Sequence, residues 1–277
     1  MTTGNQQIVL AIGAHPDDVE ISCAGTLSLL KNAGFKVHIA SMTLGDCGSK
    51  ELSADSIRRQ RRREAQDAAS VLGVAYHYVG SNDFCIFNDD LHNRRVTALL
   101  REVAPNIVLT HQPHDYMVDH EATSVLVRNA CFYAPAPNYD SLAFSPARAT
   151  DSIPYLYYWD VMEGVDIFGN PVAPQFYIDV TSEIDLKTAM LAHHASQREW
   201  LRTQHGMDEY IETMRNWGQK RGDQAAAIAK RQVKYAEGFR QHLGHAYPND
   251  NILEKYLGNH VVSNPGYATR RSVANAH

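Results

Sequence analysis

The chain has 277 residues, 44% hydrophobic and 21% charged, with a net charge of −5 at neutral pH. That length allows one large domain or two small ones, and the composition is ordinary for a globular fold. The acidic balance argues against a general nucleic-acid binder, and no apolar run of about 18 residues is present to span a membrane.

"QIVLAIGAH" (Gln7 to His15) reads as an apolar, β-branched strand ending in a polar turn. "VEISCAGTLSLLKNAG" follows with apolar residues at helical spacing and Gly34 as a C-cap. "KVHIASMT" (Lys36 to Thr43) predicts a strand, "SADSIRRQRRREAQDAASVLG" a helix closed by Gly73, and "VAYHYV" (Val74 to Val79) a strand. "HNRRVTALLREVA" is helical, "NIVLTHQ" (Asn106 to Gln112) a strand and "EATSVLVRNACFY" a helix. The Pro-, Ser- and Ala-rich stretch from Ala134 to Pro154 reads as a long surface loop, a lid or an oligomer contact. "YLYYWD" and "QFYIDV" predict strands, "DLKTAMLAHHASQREWLRTQ" one strong helix, and Met207 to Leu243 another. The tail after Pro248 has little pattern.

Alternating strands and helices predict an α/β fold: a Rossmann-like, doubly wound, mostly parallel sheet with helices on both faces. With no repeat or linker, residues 1–277 form a single domain, with a core of about 7–200 and a helical C-terminal extension of about 201–277. Ligands bind such sheets at the carboxyl ends of strands, where His15 and His111 both fall. Cys23, Cys47, Cys85 and Cys131 lie far apart without CxxC spacing, so they read as reduced thiols of a cytoplasmic protein. "MTTGNQQ" carries no basic segment followed by an apolar one, so no secretory signal is read. The basic run "RRQRRRE" (Arg58 to Glu64) reads as a solvated helix face.

Two polar clusters stand at strand ends. One is His15-Pro16-Asp17-Asp18. The other is "HQPHDYMVDHE", holding His111, His114, Asp115, Asp119, His120 and Glu121. A His/His/carboxylate set with an open fourth position is a usual catalytic zinc arrangement. His15 and Asp18 are three residues apart where a strand turns into a helix, so both can face one crevice, with Asp17 between them. One carboxylate can ligate a cation while the other accepts a proton from an attacking water, and the cation offsets their mutual repulsion. Taken singly, His15 could cap backbone and the two aspartates could N-cap the next helix. The second cluster at another strand end favours the metal site.

These residues carry a resemblance. "AHPDDVEISCAGTL" looks like the signature of the PIG-L/LmbE-like family of zinc-dependent de-N-acetylases. That family includes N-acetylglucosaminyl-phosphatidylinositol de-N-acetylases and the mycothiol and bacillithiol pathway deacetylases. "MTLGDCGS" is similar to its Thr-x-Gly-acid-x-Gly loop, "RRREAQDAASVLGV" to its Arg-x-x-Glu-Ala helix, "HDYMVDHE" to its second metal motif, and "KTAMLAHHASQ" to its Lys…Ala…His-x-Ser-Gln helix. The resemblance covers about residues 7–200 in the expected order.

By position, the resemblance implies that His15, Asp18 and His120 bind zinc and that Asp17 is the general base. Water then attacks an acetamide carbonyl polarised by zinc, and acetate leaves. Other divalent ions such as Fe2+ also suit the donors. Many relatives have His-Pro-Asp-His at the second motif, where this chain has Met117-Val118-Asp119-His120, and Met117 cannot donate a proton. His194, in the His-x-Ser-Gln motif, is the first candidate to replace the missing histidine, followed by His111 and His114. Asp119 is expected to orient a metal-bound imidazole, or else to cap a helix. Asp46, Arg61 and Asp115 are expected at the substrate, or else as a turn aspartate, a solvated helix arginine and a loop anchor, and Gly25 to permit close helix–sheet packing.

The leading expectation is therefore a zinc amidohydrolase that removes an N-acetyl group from an amino sugar, such as an N-acetylglucosamine derivative or conjugate. Relatives further imply a homo-oligomer, a trimer or hexamer, with a small-molecule substrate. The loss of the histidine at Met117 leaves a second reading, a hydratase or lyase on a carboxylate-rich metabolite. A third, a non-catalytic sugar binder, gives Asp17 no purpose.

Overall fold

The computed structural model describes residues 6–205 and 210–266. Eight strands form one sheet: β1 (Ile8–Gly13), β2 (Lys36–Ser41), β3 (Ala75–Tyr78), β4 (Ile107–Thr110), β5 (Tyr155–Trp159), β6 (Phe176–Asp179), β7 (Ala236–Gln241) and β8 (Val261–Ser263). Their order is β3-β2-β1-β4-β5-β7-β6-β8. The first five run parallel, whereas β7, β6 and β8 add antiparallel. The helices are α1 (Asp18–Asn32), α2 (Ala54–Leu72), α3 (Asp90–Val103), α4 (Val118–Tyr133), α5 (Ile184–Ala192), α6 (Ala195–His205), α7 (Tyr210–Ala229) and α8 (Ile252–Leu257).

The doubly wound fold follows from β1. Its continuous apolar run serves two cores, because helices cover both faces. Val9 and Ala11 enter one core beside Leu27 and Leu30 of α1; Leu10 and Ile12 enter the other beside Val96 of α3 and Leu126 of α4. Strand order reverses about β1, which lies between β2 and β4. The crevice at this switch point is where such sheets bind ligands, and the turns after β1 and β4 carry the two polar clusters.

The C-terminal region is not purely helical. A strand, β7, ends the supposed long helix, and β8 forms within the patternless tail. The stretch "AEGFRQ" looks polar, but Glu237 is buried and fully employed. Its carboxylate accepts from the Gly25 and Thr26 amides at 3.0 and 2.8 Å, from the Thr26 hydroxyl at 2.6 Å and from Lys187 Nζ at 2.5 Å. The start of the supposed helix at Met207 and the tail from residue 267 lie outside the described residues. The supposed single helix through "LAHHASQ" breaks at His193–His194. Glu64 of α2 fixes the restart, accepting from the Ser196 amide at 3.1 Å and its hydroxyl at 2.5 Å. The loop from Ala134 to Pro154 is an irregular connection pinned by Arg101, which donates to Ala134 O, Ala136 O and Ser141 Oγ.

Candidate metal centre and active-site cavity

His15 and Pro16 occupy the turn after β1. Asp17 ends it with φ 101°, a left-handed conformation that costs an aspartate on the order of 1 kcal/mol or more. Its side chain makes no capping bond to α1. One carboxylate oxygen instead accepts a short hydrogen bond from the Tyr210 hydroxyl, and the other lies 3.7 Å from an Arg61 guanidinium nitrogen. The left-handed turn thus aims a carboxylate away from the helix amides it would ordinarily cap.

Asp18 points toward three imidazoles. Its oxygens stand 3.6 Å from His15 Nδ1, 3.5 Å from His120 Nε2 and 3.1 Å from His111 Nε2. One donor atom each from His15, Asp18 and His120 lies within 4.8 Å of the other two. The opposite nitrogens of both histidines are held by carboxylates: His15 Nε2 by Asp119 at 3.1 Å, and His120 Nδ1 by Asp115 at 2.9 Å. Imidazoles fixed from behind with their other nitrogens converging on one carboxylate are the arrangement a divalent ion requires. Two nitrogens and an oxygen suit zinc or another borderline cation, so the residues present fit the metal that the motif implies.

Electrostatics separate the adjacent aspartates. For Asp17, burial dominates and raises its proton affinity above the usual carboxylate range, against the opposing pull of Arg61. Burial also acts on Asp18, but His120, His111 and His15 outweigh it and hold the carboxyl well below that range. Burial alone would depress His15, yet its hydrogen bonds to Asp119 and Asp18 raise it to about 10. Asp18 is thus the permanent anion facing a site that demands positive charge, and Asp17 the better proton acceptor. Such a divergence suits a ligand beside a base.

A cavity of about 530 Å³ opens over these groups, lined by His15, Asp17, Asp18 and His120 together with Arg61 and Met117. Arg61 is buried against the Pro16 carbonyl at 2.9 Å and is the only lysine or arginine among the described lining residues. Two other expected substrate contacts lie elsewhere. Asp46 accepts from the Asp83 amide at 2.8 Å and pairs with Arg58 at 3.0 Å, so it supports the wall from behind. Asp115 is spent on His120. The remaining acid at the second motif, Asp119, accepts from the Phe84 amide at 2.8 Å as well as meeting His15.

None of the three histidines considered as substitutes at Met117 lines the cavity. His194 is 1% exposed and its nearest charged partner is Glu20 Oε1, at 3.4 Å from Nε2. Burial lowers its affinity for a proton, but Glu20 and Asp17 raise it overall. It is absent from the described cavity lining and feels Asp17 only through its charge. The His111 Nε2 accepts from the Ala14 amide at 3.0 Å, and the ring stacks on His120 with centroids 4.0 Å apart. His114 is exposed and approaches only Glu121, at 3.9 Å.

Sequence reasoning missed Tyr210 and Asp83. Asp83 follows the carboxyl end of β3, so the crevice rule could have found it. It lines the cavity with one oxygen on the Cys47 amide at 2.9 Å and the other, buried, without a partner. No spacing ties Tyr210 to a residue so distant in sequence.

Residues 10–131 match the family described as PIG-L: GlcNAc-PI de-N-acetylase. A 4-oxalmesaconate hydratase of Pseudomonas putida is 24% identical over 243 residues, 85% of this chain and 89% of its own length. A probable N-acetyl-alpha-D-glucosaminyl L-malate deacetylase 2 of Bacillus cereus is 32% identical over 123 residues, 41% of this chain and 56% of its own. The N,N'-diacetylchitobiose deacetylase from Pyrococcus horikoshii superposes with a TM-score of 0.71 at 23% identity, covering 88% of each chain. Residues 10–131, fewer than half of the chain, are thus similar to the PIG-L/LmbE-like family in signature and motif order, and the fold is shared with the solved deacetylase.

Proposed function

We propose that this protein is a metal-dependent amidohydrolase that removes the N-acetyl group from an amino sugar or its conjugate. The observation that carries this reading is the convergence of His15, Asp18 and His120 donor atoms beside an Asp17 that is free of the helix. A divalent ion, zinc on this donor set, supplies Lewis acidity to the acetamide carbonyl and to water. Asp17 takes the proton of the attacking water and returns it to the departing amine. Tyr210 and Arg61 hold the two oxygens of Asp17 in register for that exchange. Asp115 and Asp119 keep the imidazoles turned inward. His194 acts at one remove, on Asp17.

The second reading, a hydratase on a carboxylate-rich metabolite, is favoured by Met117, which cannot serve an amide's oxyanion as a histidine would. The cavity's charge weighs against it. Asp17, Asp18, Asp83, Glu163 and Asp166 line the space with Arg61 as the lone described arginine or lysine, so beyond the metal and Arg61 a polyanionic substrate finds few countercharges. Zinc, a cytoplasmic location and a homo-oligomer complete the proposal; metal analysis, cell fractionation and light scattering test them. The deciding assay incubates metal-loaded protein with N-acetylglucosamine conjugates and with unsaturated di- and tricarboxylates. Chelator-sensitive acetate release supports the amidohydrolase. Water addition to an unsaturated acid, with no amide cleaved, overturns it.

A further inference from the structure

The cavity lining combines residues of different character from two parts of the chain. The reacting groups His15, Asp17, Asp18 and His120 come from the first 120 residues, with Tyr210 joining them at Asp17. Other lining residues come from segments beyond the matched residues 10–131. From these segments Val161, Met162 and Val165 after β5, Trp200 and Leu201 on α6, and Met214 on α7 add apolar side chains to the lining, beside the polar Gln197, Tyr210 and Thr213. Phe84 and Tyr116 face the same space from the N-terminal part, 65% and 63% exposed. Glu163 and Asp166 are the only charged side chains that the 161–214 segments contribute to the described lining.

A volume of about 530 Å³ is that of a pocket for a drug-sized molecule, room for an amino sugar with a substituent. Apolar lining atoms that face the cavity, the exposed Phe84 and Tyr116 above all, gain by losing water to an apolar ligand group. The two carboxylates from the 161–214 segments disfavour a negatively charged one.

We infer that the substrate carries a bulky, uncharged apolar group, an aryl ring or an alkyl chain of several carbons, seated against the Val161, Met162, Val165, Trp200, Leu201 and Met214 side chains while the amide sits at His15, Asp17, Asp18 and His120. This rests on the amidohydrolase reading and names its substrate class. The group arrives on either arm of the amide: as the aglycone of the amino sugar, or as an acyl chain longer than acetyl. The Trp200 indole and the Leu201 side chain, adjacent on α6, act as specificity determinants.

The test uses the full zinc-loaded chain and four amides: N-acetylglucosamine, its phenyl glycoside, N-hexanoylglucosamine and N-acetylglucosamine 1-phosphate. Amine release gives kcat/KM, and calorimetry with the Asp17→Asn protein gives binding to the same four. The expected result is a preference of about tenfold or more over N-acetylglucosamine for the phenyl or the hexanoyl compound, corresponding to about 1.4 kcal/mol. The 1-phosphate should rank last. Which arm is preferred identifies the source of the apolar group. In Trp200→Ala/Leu201→Ala, and separately in Val165→Ser, the ratio should collapse toward unity, with a melting curve showing each variant folded. A ratio near one in the parent protein, or a ratio undiminished in folded variants, overturns the inference. If no amide is cleaved but the phenyl or hexanoyl compound still binds about tenfold tighter, the apolar subsite stands and the amidohydrolase reading falls. Equal binding of all four with no amide cleaved removes both.

Discussion

Removing Asp119 should weaken metal binding without removing any ligand. Its Oδ2 stands 3.1 Å from His15 Nε2 and 2.8 Å from the Phe84 amide. Deleting a carboxylate that orients a ligating imidazole costs about 10–100-fold in metal affinity, or about 1.4–2.7 kcal/mol. The Phe84 amide loses its acceptor in the same substitution, a further cost of about 1 kcal/mol to the fold. Phe84 has a φ of 60°, so its turn is already strained and depends on that bond. Asp115→Ala is the control: it frees His120 Nδ1 and leaves Phe84 untouched. Competition with a fluorescent chelator should show both variants weakened by about one to two orders of magnitude. Melting of the metal-free proteins should show Asp119→Ala lower than Asp115→Ala by about 2 °C. Unchanged metal affinity in both variants refutes the reasoning, because it means that the far nitrogens do not set the ligand geometry.

Asp18→Ala should lose the metal, whereas Asp17→Asn should retain it and lose activity by about 10²–10⁴-fold, as for removal of a general base; metal analysis after gel filtration and turnover together distinguish the two. His38 and His77 form a stacked pair, Nδ1 to Nε2 at 2.8 Å, on β2 and β3. Burial, then the His77 charge, pulls His38 down from 6.5 to about 4, and burial also lowers His77. The unfolded chain therefore binds protons that the folded one refuses, so stability is full above pH 6.5 and drains away as pH falls toward about 4. His77→Gln should flatten the melting temperature across that window. Gly25→Ala would bring a Cβ to 2.7 Å from Val180 Cβ and should cost about 1–3 kcal/mol in urea unfolding, with the metal site intact.

The parts of the fold legible in the sequence are those where local pattern and tertiary role coincide. β1 reads as a strand because a parallel strand covered on both faces needs an unbroken apolar run. His15 and Asp18 read as a pair because the strand-to-helix turn places residues three apart on one side. The C-terminal half hides its roles in long-range pairing. Glu237 makes β7 look polar until Lys187 and the Gly25 and Thr26 amides are seen to absorb its charge. The break before α6 carries no proline or glycine, and its cause, Glu64, lies 132 positions upstream of Ser196. Asp46 and Asp115 looked like substrate contacts because acids beside a metal motif usually face the cleft. The Asp83 amide and His120 claim them instead.

The same division bears on what stands in for a histidine at Met117. A single imidazole there would have to reach the cavity, and His111, His114 and His194 are all absent from its described lining. What the cavity offers is the Asp17 carboxylate, the proposed base, gripped from both sides by the Tyr210 hydroxyl and by Arg61. Tyr210 opens α7, beyond the matched residues 10–131, so one end of that grip depends on the C-terminal elements. Those elements also add apolar side chains to the lining. Chemistry set by the first 120 residues and control of the base set in part by the last 80 would let one metal motif serve different substrates. The identity of residue 117 then matters less than what α6 and α7 bring over the site.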